Sequence, residues 1–475
     1  LSRKQQLLKR HRRNKRLGLL LGLVVLVCVG LLLTWWVPVA LAVLAWVAHE
    51  AWFADHLFYS PAEDYQYRFD DSGERLGVRF KDGSLTLEGP ADLLDTDTLI
   101  LELRLHSRWA GRFLDPRVEL SGAGQQDRQT FERGAKGLRY LNLSGLATPL
   151  NGGQLRLRGR FCRLLGEPRL WRFRHPDFTQ KRVMVIAPHA DDAELAAYGL
   201  YSQAEQPWIV TLTAGEIEAE HYRDMGLEAA QAARLKGRLR AWDSIAVPQW
   251  AGVAPERCVQ LGYFCLQLPA MQAAPAQPVA SREAELDDTR LFRQFNSLQL
   301  PGDQDGAPTW QNLLADLAAV ILQARPEVIV LPDATLDPHP DHICARQAIL
   351  EVLQTSSWQP EYLLGYANHL HDNDRWPMGE QGAGVALPPL LHSPGAMTPL
   401  SLGLDPARQC DKAMALGMMH DLQPQAPFKR RLRRVLQSFL AGRSRWMYGN
   451  NEFFRKAVRR HELFWVICRK DIDNG

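Results

Sequence analysis

Two short clusters carry the residue types that hydrolytic metal chemistry needs. The first is Pro188-His189-Ala190-Asp191-Asp192-Ala193-Glu194 and the second is Asp337-Pro338-His339-Pro340-Asp341-His342. A catalytic zinc ion takes three protein ligands of the His and Asp type and keeps a further position open for water. His189 and Asp192 from one segment, with His342 from the other, supply such a set. Water bound at such an ion loses its proton near neutral pH, which makes hydroxide available. Asp191 stands beside the ligands as a candidate general base. His339 is a candidate to stabilise the oxyanion of a tetrahedral intermediate, as a cation or as a hydrogen-bond donor. Taken singly these residues have ordinary explanations. An Asp pair ahead of a helix caps its N-terminus, and a lone His at a strand end is usually just hydrogen-bonded. The case for a site rests on two clusters of one kind at the ends of two strands.

Those strands belong to an alternating pattern. KRVMVIAP reads as a buried strand, Ala193 to Gln203 as a helix, and Trp208 to Glu216 as a second strand. A long helix is expected from Leu227 to Ile245 and another ending at Ala324, followed by the strand PEVIVLPD and the helix DHICARQAILEVLQ. Strand–helix alternation of this sort predicts an α/β fold with a doubly wound, mostly parallel sheet, Rossmann-like, whose sites form at the carboxyl ends of the strands.

At this point the chain resembles a known family. HADDAE and HPDH are similar to the paired signatures of the PIG-L/LmbE-like N-deacetylases, whose first motif runs H-P-D-D-x-E or H-P-D-D-E. Thr213-Ala214-Gly215-Glu216 resembles the family's T-x-G-E turn, and Arg234 matches a family Arg. Lys412-Ala413-Met414-Ala415-Leu416 with His420-Asp421-Leu422-Gln423 is similar to K-x-x-A-L-x-x-x-H-x-S-Q. The resemblance spans about Arg182 to Gln423. It implies zinc on His189, Asp192 and His342, Asp191 as base, and His339 as oxyanion stabiliser. It further implies Arg234, Asp341 and His420 as substrate-binding residues, and hydrolysis of an acetamide on an amino sugar. Ala190 stands where the family has Pro, Gly237 where it often has Glu, and the L-G-x-P-D-type turn reads Leu261-Gly262-Tyr263-Phe264-Cys265. Met271 to Pro308, rich in Ala, Pro, Gln and Asp, is expected to form a loop or lid near the site.

The remaining segments place this chemistry at a membrane. Residues 1–16 hold eight Lys or Arg and no acid, whereas Leu17 to Ala48 is uncharged over 32 residues. A bilayer core needs about 20, so insertion is expected, with Trp35, Trp36 and Pro38 at a helix end. The favoured topology is a single span. It keeps the basic flank in the cytoplasm and puts the body in the periplasm, at a bacterial inner membrane. The rival is a tight hairpin with a second helix from Val37 to about Phe58, which returns the body to the cytoplasm. That rival must accommodate His49, Glu50 and Asp55. The chain starts at Leu1 rather than Met, so the start codon or a few residues are expected to be missing or unusual.

From Tyr65 to Leu165, short alternating segments such as TLILELRLHS and QLRLRGRFCRL, separated by Asp-Ser-Gly, Lys-Asp-Gly and Asn-Gly-Gly turns, predict an antiparallel sandwich or jelly roll. Its role is packing or glycan binding. The expected organisation is a basic tail (1–16), a transmembrane anchor (17–58), a β-rich domain (59–173), a zinc deacetylase domain (174–428) and a basic amphipathic segment (429–475). That last segment either lies on an anionic membrane or glycolipid or packs on the body. Net charge is +3 and no nucleic-acid fold signature accompanies the basic runs, so no nucleic-acid partner is expected. Seven cysteines include no C-x-x-C pair and predict no disulfide framework. The resulting expectation is a membrane-anchored zinc hydrolase that deacetylates an N-acetylhexosamine of an envelope glycan or glycolipid, such as lipopolysaccharide core. The alternatives are a zinc amidase for another amide and a non-catalytic glycan-binding envelope protein.

Overall fold

The uncharged N-terminal run folds as two helices, not one. In the computed structural model, which describes residues 3–468 apart from 35, 56, 371, 394, 425, 446, 447 and 450, α1 is Arg3–Leu32 and α2 is Trp36–Ala48. A π-helical turn, His49–Phe53, extends α2. Leu8–Leu32 and Trp36–Phe53 are each long and apolar enough to cross a membrane. Trp35, expected at the helix end, lies outside the described residues, as do residues 1–2 of the basic tail and 469–475 of the C-terminal segment.

The two helices form an antiparallel hairpin. Gly30 faces Pro38 at the turn, where an added Cβ would lie 3.5 Å from the Pro38 ring. At the other end the His11 ring lies 6.5 Å from that of Phe58. The favoured single span was drawn on one helix, whereas two candidate spanning helices are present. Pro38 lies in the first turn of α2, where its missing N–H costs nothing. The charges that argued against a second span sit at its protein end and are paired there. Arg433 Nε contacts Glu50 Oε2 at 2.6 Å, and Arg443 Nη2 contacts Asp55 Oδ2 at 2.7 Å.

Next come two antiparallel sheets. One has the order Glu74–Leu76, Cys162–Phe173, Thr98–Ser107, Lys136–Asn142. The other has Val78–Lys81, Ser84–Leu87, Leu155–Arg160, Arg117–Gly122, Gln125–Thr130. Alternation works as the sequence pattern requires. Leu99, Leu101, Leu103 and Leu105 of one sheet share a buried cluster with Val118, Leu120, Leu155 and Leu157 of the other.

The third unit carries the two clusters. Its seven-stranded sheet contains β1 (Val183–Ala187), β2 (Trp208–Thr213), β3 (Cys258–Tyr263), β4 (Val328–Pro332), β5 (Tyr362–Tyr366), β6 (Pro399–Gly403) and β7 (His461–Cys468), in the order β3-β2-β1-β4-β5-β7-β6. β1 to β5 pair in parallel, and β7 is antiparallel to both its neighbours. The first four strands are buried at every position, which is why they read as continuous apolar runs. The principal helices of this unit are α3 (Asp192–Tyr201), α4 (Ala229–Ala246), α5 (Trp310–Ala324), α6 (Pro340–Thr355), α7 (Pro406–Met418) and α8 (Phe428–Leu440). Separate apolar clusters lie on the two faces of the sheet, one with Val183 and Val185 and the other with Met184 and Ile186.

Two boundaries drawn from sequence do not separate independent pieces. β7 lies beyond residue 428 yet is an interior strand of the main sheet, and its Glu462 makes a buried 2.7 Å ion pair with Lys412 of α7. Arg68–Phe69 pairs in parallel with Ala396–Met397, and Asn142 Nδ2 donates to Ser401 Oγ at 2.7 Å, so the β-rich unit is joined to the body. The segment from Met271 to Pro308 is packed, not loose. Ser281 Oγ donates to Glu216 Oε1 at 2.8 Å, and Phe292 is fully buried.

Candidate active site

The turns after β1 and β4 bring the two clusters together at the carboxyl ends of adjacent parallel strands. After β1, the Asp192 carboxylate accepts from the His189 backbone N–H at 2.9 Å, closing a tight loop that opens α3 with Asp191 at its N-cap. After β4, Asp333 Oδ1 accepts from the backbone N–H of Thr335 and Leu336 at 2.9 and 3.1 Å. Asp337 Oδ1 then accepts from His339 N at 3.1 Å, and Pro340 opens α6. Short side chains taking over backbone donors at each step fix the direction of the functional rings.

Three donor atoms converge. Asp192 Oδ2 lies 3.1 Å from His189 Nδ1 and 3.1 Å from His342 Nε2, and those two nitrogens are 3.4 Å apart. Ligands about 2.0–2.1 Å from a tetrahedral zinc ion stand roughly 3.3 Å from one another, so this triangle fits such an ion. Every remaining donor of the triad is engaged in a way that leaves the triangle free. His342 Nδ1 donates to Asp337 Oδ2 at 2.9 Å, and His189 Nε2 donates to Asp341 Oδ2 at 3.2 Å. Asn368 Nδ2 donates to Asp192 Oδ1 at 2.8 Å. Carboxylates behind ligating imidazoles set the tautomer and raise ligand basicity. Other overlapping groups could also hold an ion, namely His189/His339/His342, His189/Cys265/Asp341 and Asp192/His342/His369. The chosen triad differs from them in having each non-ligating atom already hydrogen-bonded.

Electrostatics follow from this burial. Burial opposes a charge on His342, but Asp192 and Asp337 raise its pKa to about 10. Burial likewise opposes a charge on His189, and Cys265, Asp192 and Asp341 hold its pKa well above the usual imidazole value. Asp192 is held well below the usual carboxylate range, because His342 and His189 outweigh its desolvation. His339 moves the other way, to about 3, through burial and the neighbouring His189 and His342. It is therefore neutral, and its Nδ1 is buried without a hydrogen-bond partner among the described residues. His189, Asp191, His339 and His369 are partly exposed, so the site opens on their side, while Asp192 and His342 close the back.

Asp191 is aimed by a cation. Arg240 Nη2 donates to Asp191 Oδ1 at 3.0 Å, and Arg240 Nη1 donates to Asp421 Oδ2 at 2.5 Å. Arg234, six residues earlier on α4, is not brought to the cluster. Its guanidinium donates to the carbonyls of Ala284 and Glu285 at 2.7 and 3.1 Å. Asp341, expected to bind substrate, is fully buried, and its Oδ2 accepts from His189 Nε2 at 3.2 Å and from Leu266 N at 2.7 Å. His420 is half-exposed, with Nδ1 on Asp243 Oδ1 at 2.6 Å, next to the Asp421 that anchors Arg240. Gly237 faces Phe292, which would come within 2.5 Å of an added Cβ. Phe292 of the insertion thus fills the space a larger residue would need.

Sequence reading missed Asp337, Asn368, His369 and Arg240. Asp337 was in view, five residues before His342, and its distance from the ligand was the available signal. His369 rests 5.1 Å from the His342 ring and 5.4 Å from that of His339. It comes from the loop after β5, where YANHLHD carries no periodicity to place it.

The carboxyl ends of β1 and β4 thus carry a convergent His/Asp cluster of a kind able to hold a metal ion. Residues 184–353 match the sequence model of the PIG-L family, described as GlcNAc-PI de-N-acetylase, so the chain carries a PIG-L domain there. No curated protein matches the chain. Among solved structures, a 4-carboxy-2-hydroxymuconate hydratase, GalB, from Pseudomonas putida is similar at 14% identity, over 54% of this chain and 83% of that one, with a TM-score of 0.31. A likeness of that size bears on neither fold nor chemistry.

Proposed function

We propose that this protein is a membrane-anchored, zinc-dependent deacetylase that removes an N-acetyl group from an amino sugar of an envelope glycan or glycolipid. One observation carries the reading: the 3.1, 3.1 and 3.4 Å triangle of His189 Nδ1, Asp192 Oδ2 and His342 Nε2. The PIG-L match supports the reaction class. We read β1 to β5 as a doubly wound sheet, whose strand order turns outward on both sides of β1 and β4, where a ligand crevice is expected.

When bound, zinc would supply a Lewis acid for the acetamide carbonyl and lower the pKa of water beside it. The residues around it divide the proton work. Asp191, held by Arg240, takes a proton from the attacking water and delivers it to the departing nitrogen. The carbonyl carbon gains an oxygen, the C–N bond breaks, and acetate and a free amine leave. Neutral His339 donates an N–H to the oxygen on which negative charge builds, from a partly exposed ring whose Nδ1 has no hydrogen-bond partner to give up. Asp337, Asp341 and Asn368 hold the three ligands in place.

The hairpin changes the membrane reading. Since α1 and α2 run antiparallel, we place the body on the same side as the basic residues 1–16, at the cytoplasmic face by the positive-inside rule, in place of the periplasm.

Metal content and acetate release test the core proposal. The full chain in neutral detergent should hold about one zinc per molecule, lost in His342→Ala. Asp191→Asn should keep the zinc and lower acetate release from an N-acetylhexosamine glycan by about 10²–10⁴-fold. Full activity in Asp191→Asn, or a metal-free active protein, would sink the assignment.

A further inference from the structure

α8 turns its polar side toward the body and its apolar side away from it. Of its thirteen residues, Phe428–Leu440, the one that is buried is Gln437. Phe428, Leu432, Leu436 and Phe439 follow one another at steps of four, four and three residues. At about 100° per residue they fall within about 80° of arc on one side of the helix. Phe428 and Phe439, at the two ends of this stripe, are 76% and 78% exposed, and Leu432 and Leu436 between them are half-buried. Among the described residues, none of the four belongs to a buried apolar cluster of the body or packs against one. A surface helix of a soluble body points such a stripe at the core. Here the inward contacts are polar: Gln437 Nε2 donates to the Glu50 carbonyl at 3.3 Å, and Arg433 Nε donates to Glu50 Oε2 at 2.6 Å.

Glu50 fixes where the stripe lies. It sits in the π-helical turn that extends α2, at the protein end of a helix long and apolar enough to cross a membrane. Phe53 in the same turn is 68% exposed, and Trp109 is 75% exposed. The Trp52 and Phe113 rings lie 5.9 Å apart, and those of Phe113 and Trp109 5.4 Å apart. Gly442, just beyond α8, approaches Leu114 so closely that an added Cβ would stand 3.2 Å from Leu114 Cδ2. The far end of α8 therefore meets the segment that carries Trp109 and Phe113. Exposed aromatic and apolar side chains thus continue from the end of α2 along α8.

Charge favours one kind of partner for this surface. Residues 428–445 hold seven Lys or Arg and no acid. Lys429, Arg430 and Arg431 are exposed beside the stripe, and the Arg445 guanidinium lies 5.7 Å from the centre of the Phe439 ring. A helix with an aromatic and leucine face flanked by cations partitions into the boundary between head groups and acyl chains. Basic residues there gain further from anionic lipid.

We propose that α8 lies in the plane of an anionic bilayer surface, with Phe428, Leu432, Leu436 and Phe439 turned into the acyl region and the flanking cations at the head groups. Phe53 and Trp109 complete the aromatic rim. The body then rests on the membrane along α8 in addition to being tethered by the hairpin, which fixes its orientation there. The proposal rests on the hairpin entering a bilayer and is independent of the deacetylase reading.

The full chain in phosphatidylcholine nanodiscs would carry the photo-crosslinker p-benzoylphenylalanine in place of Phe428, Phe439, Leu41 or Leu322, one at a time. Leu41 lies in α2 and reports on the hairpin. Leu322 is 44% exposed near the end of α5, which leads into the amino end of β4, away from the site. All four positions are exposed, so a larger ring is accommodated, and circular dichroism checks that the fold is kept. Mass spectrometry after irradiation should find lipid adducts at Phe428, Phe439 and Leu41 at about tenfold or more the yield at Leu322. Exchanging part of the lipid for phosphatidylglycerol should raise the yields at Phe428 and Phe439 about twofold or more and leave that at Leu41 unchanged. Adducts at Leu41, with Phe428 and Phe439 no higher than Leu322, would overturn the proposal and keep the anchor. Crosslinks from Phe428 or Phe439 to a second copy of the chain would overturn it in favour of a dimer. Yields on the stripe that ignore head-group charge would overturn the anionic partner. No adduct at any position would remove the anchor and the proposal together.

Discussion

His342 and Asp337 are joined by a 2.9 Å hydrogen bond in which the ring Nδ1–H donates to the carboxylate, leaving Nε2 turned toward Asp192 and His189. Both residues are fully buried. Asp337 also accepts from the backbone N–H of Asn368 and His369, at 3.0 and 3.1 Å, so one carboxylate locks a ligand ring and the loop after β5 together. Asp337→Asn should therefore weaken zinc binding by about 10–100-fold, because the amide can present an N–H where the ring needs an acceptor. Competition with a chromogenic chelator measures this. Unchanged affinity would mean that Asp337 does not set the tautomer of His342.

Protons and metal compete for the same imidazoles. In the metal-free chain His342 has a pKa of about 10, and His189 lies well above its usual value. Both rings are therefore imidazolium at pH 7, and a bound zinc ion would have to displace the second proton. The sign is fixed: apparent affinity rises with pH below about 10 and falls on acidification. For the metal-free protein it is reversed. The raised His342 pKa contributes stability that is full below about pH 6.5, the ordinary His value, and is lost as pH rises through 10. Calorimetric titration with zinc in buffers of different ionisation heat should show net proton release. Proton-neutral binding at pH 7 would contradict this picture.

Glu194 is a separate, buried titration behind the site. Desolvation pushes its pKa up to about 8, partly offset by the Tyr201 hydroxyl, which donates to it at 2.9 Å. In the unfolded chain a Glu ionises near its ordinary value of about 4.3. Folding stability attributable to this group is thus greatest at low pH and declines as pH rises toward 8. Glu194→Gln keeps an acceptor for Tyr201 without the charge, so it should raise the melting temperature at pH 8–9 and change it little near pH 5. Parallel pH profiles for the two proteins would show that Glu194 does not titrate as described.

Topology offers a test that needs no substrate. With the hairpin formed by α1 and α2, a fluorescent reporter fused at the C-terminus should be active in the cytoplasm, and one that requires an oxidising compartment should stay inactive. The opposite result would restore the single span and move the body across the membrane.

Membrane anchor, β-rich unit and body also meet in one charge network. Asp115 of the β-rich unit holds Arg375 and Arg443, and Arg443 in turn holds Asp55 just beyond α2. Asp115 is only 9% exposed and its pKa is lowered, because the arginines outweigh its desolvation. Asp115→Ala leaves Arg375 and Arg443 with Asp55 as their shared carboxylate and should cost roughly 3–5 kcal/mol. Thermal unfolding of the zinc-loaded protein reads this directly. Removing a matched partner at once, as in Asp115→Asn with Arg443→Gln, should recover part of the loss, and an additive loss would argue against a coupled network.

What the sequence determined by itself was local. Buried parallel strands are apolar throughout, so β1, β2 and β4 stand out, and the tight turns that follow two of them keep their ligands within a few residues. His189, Asp191, Asp192, His339 and His342 could be singled out for that reason, because short-range spacing and strand ends fix their place in the fold. Tertiary structure decided what depends on distant pairing. Arg240, not Arg234, reaches Asp191, since α4 presents one residue per 100° and only the fold says which face meets the loop. Asp341 lies behind His189 because α6 turns it inward. The hairpin, too, was a tertiary outcome. Glu50 and Asp55 look costly beside a membrane when read alone, and their arginine partners lie more than 300 residues away in the chain. Likewise β7, read as a basic tail, completes the sheet because its apolar positions find an empty edge between β5 and β6.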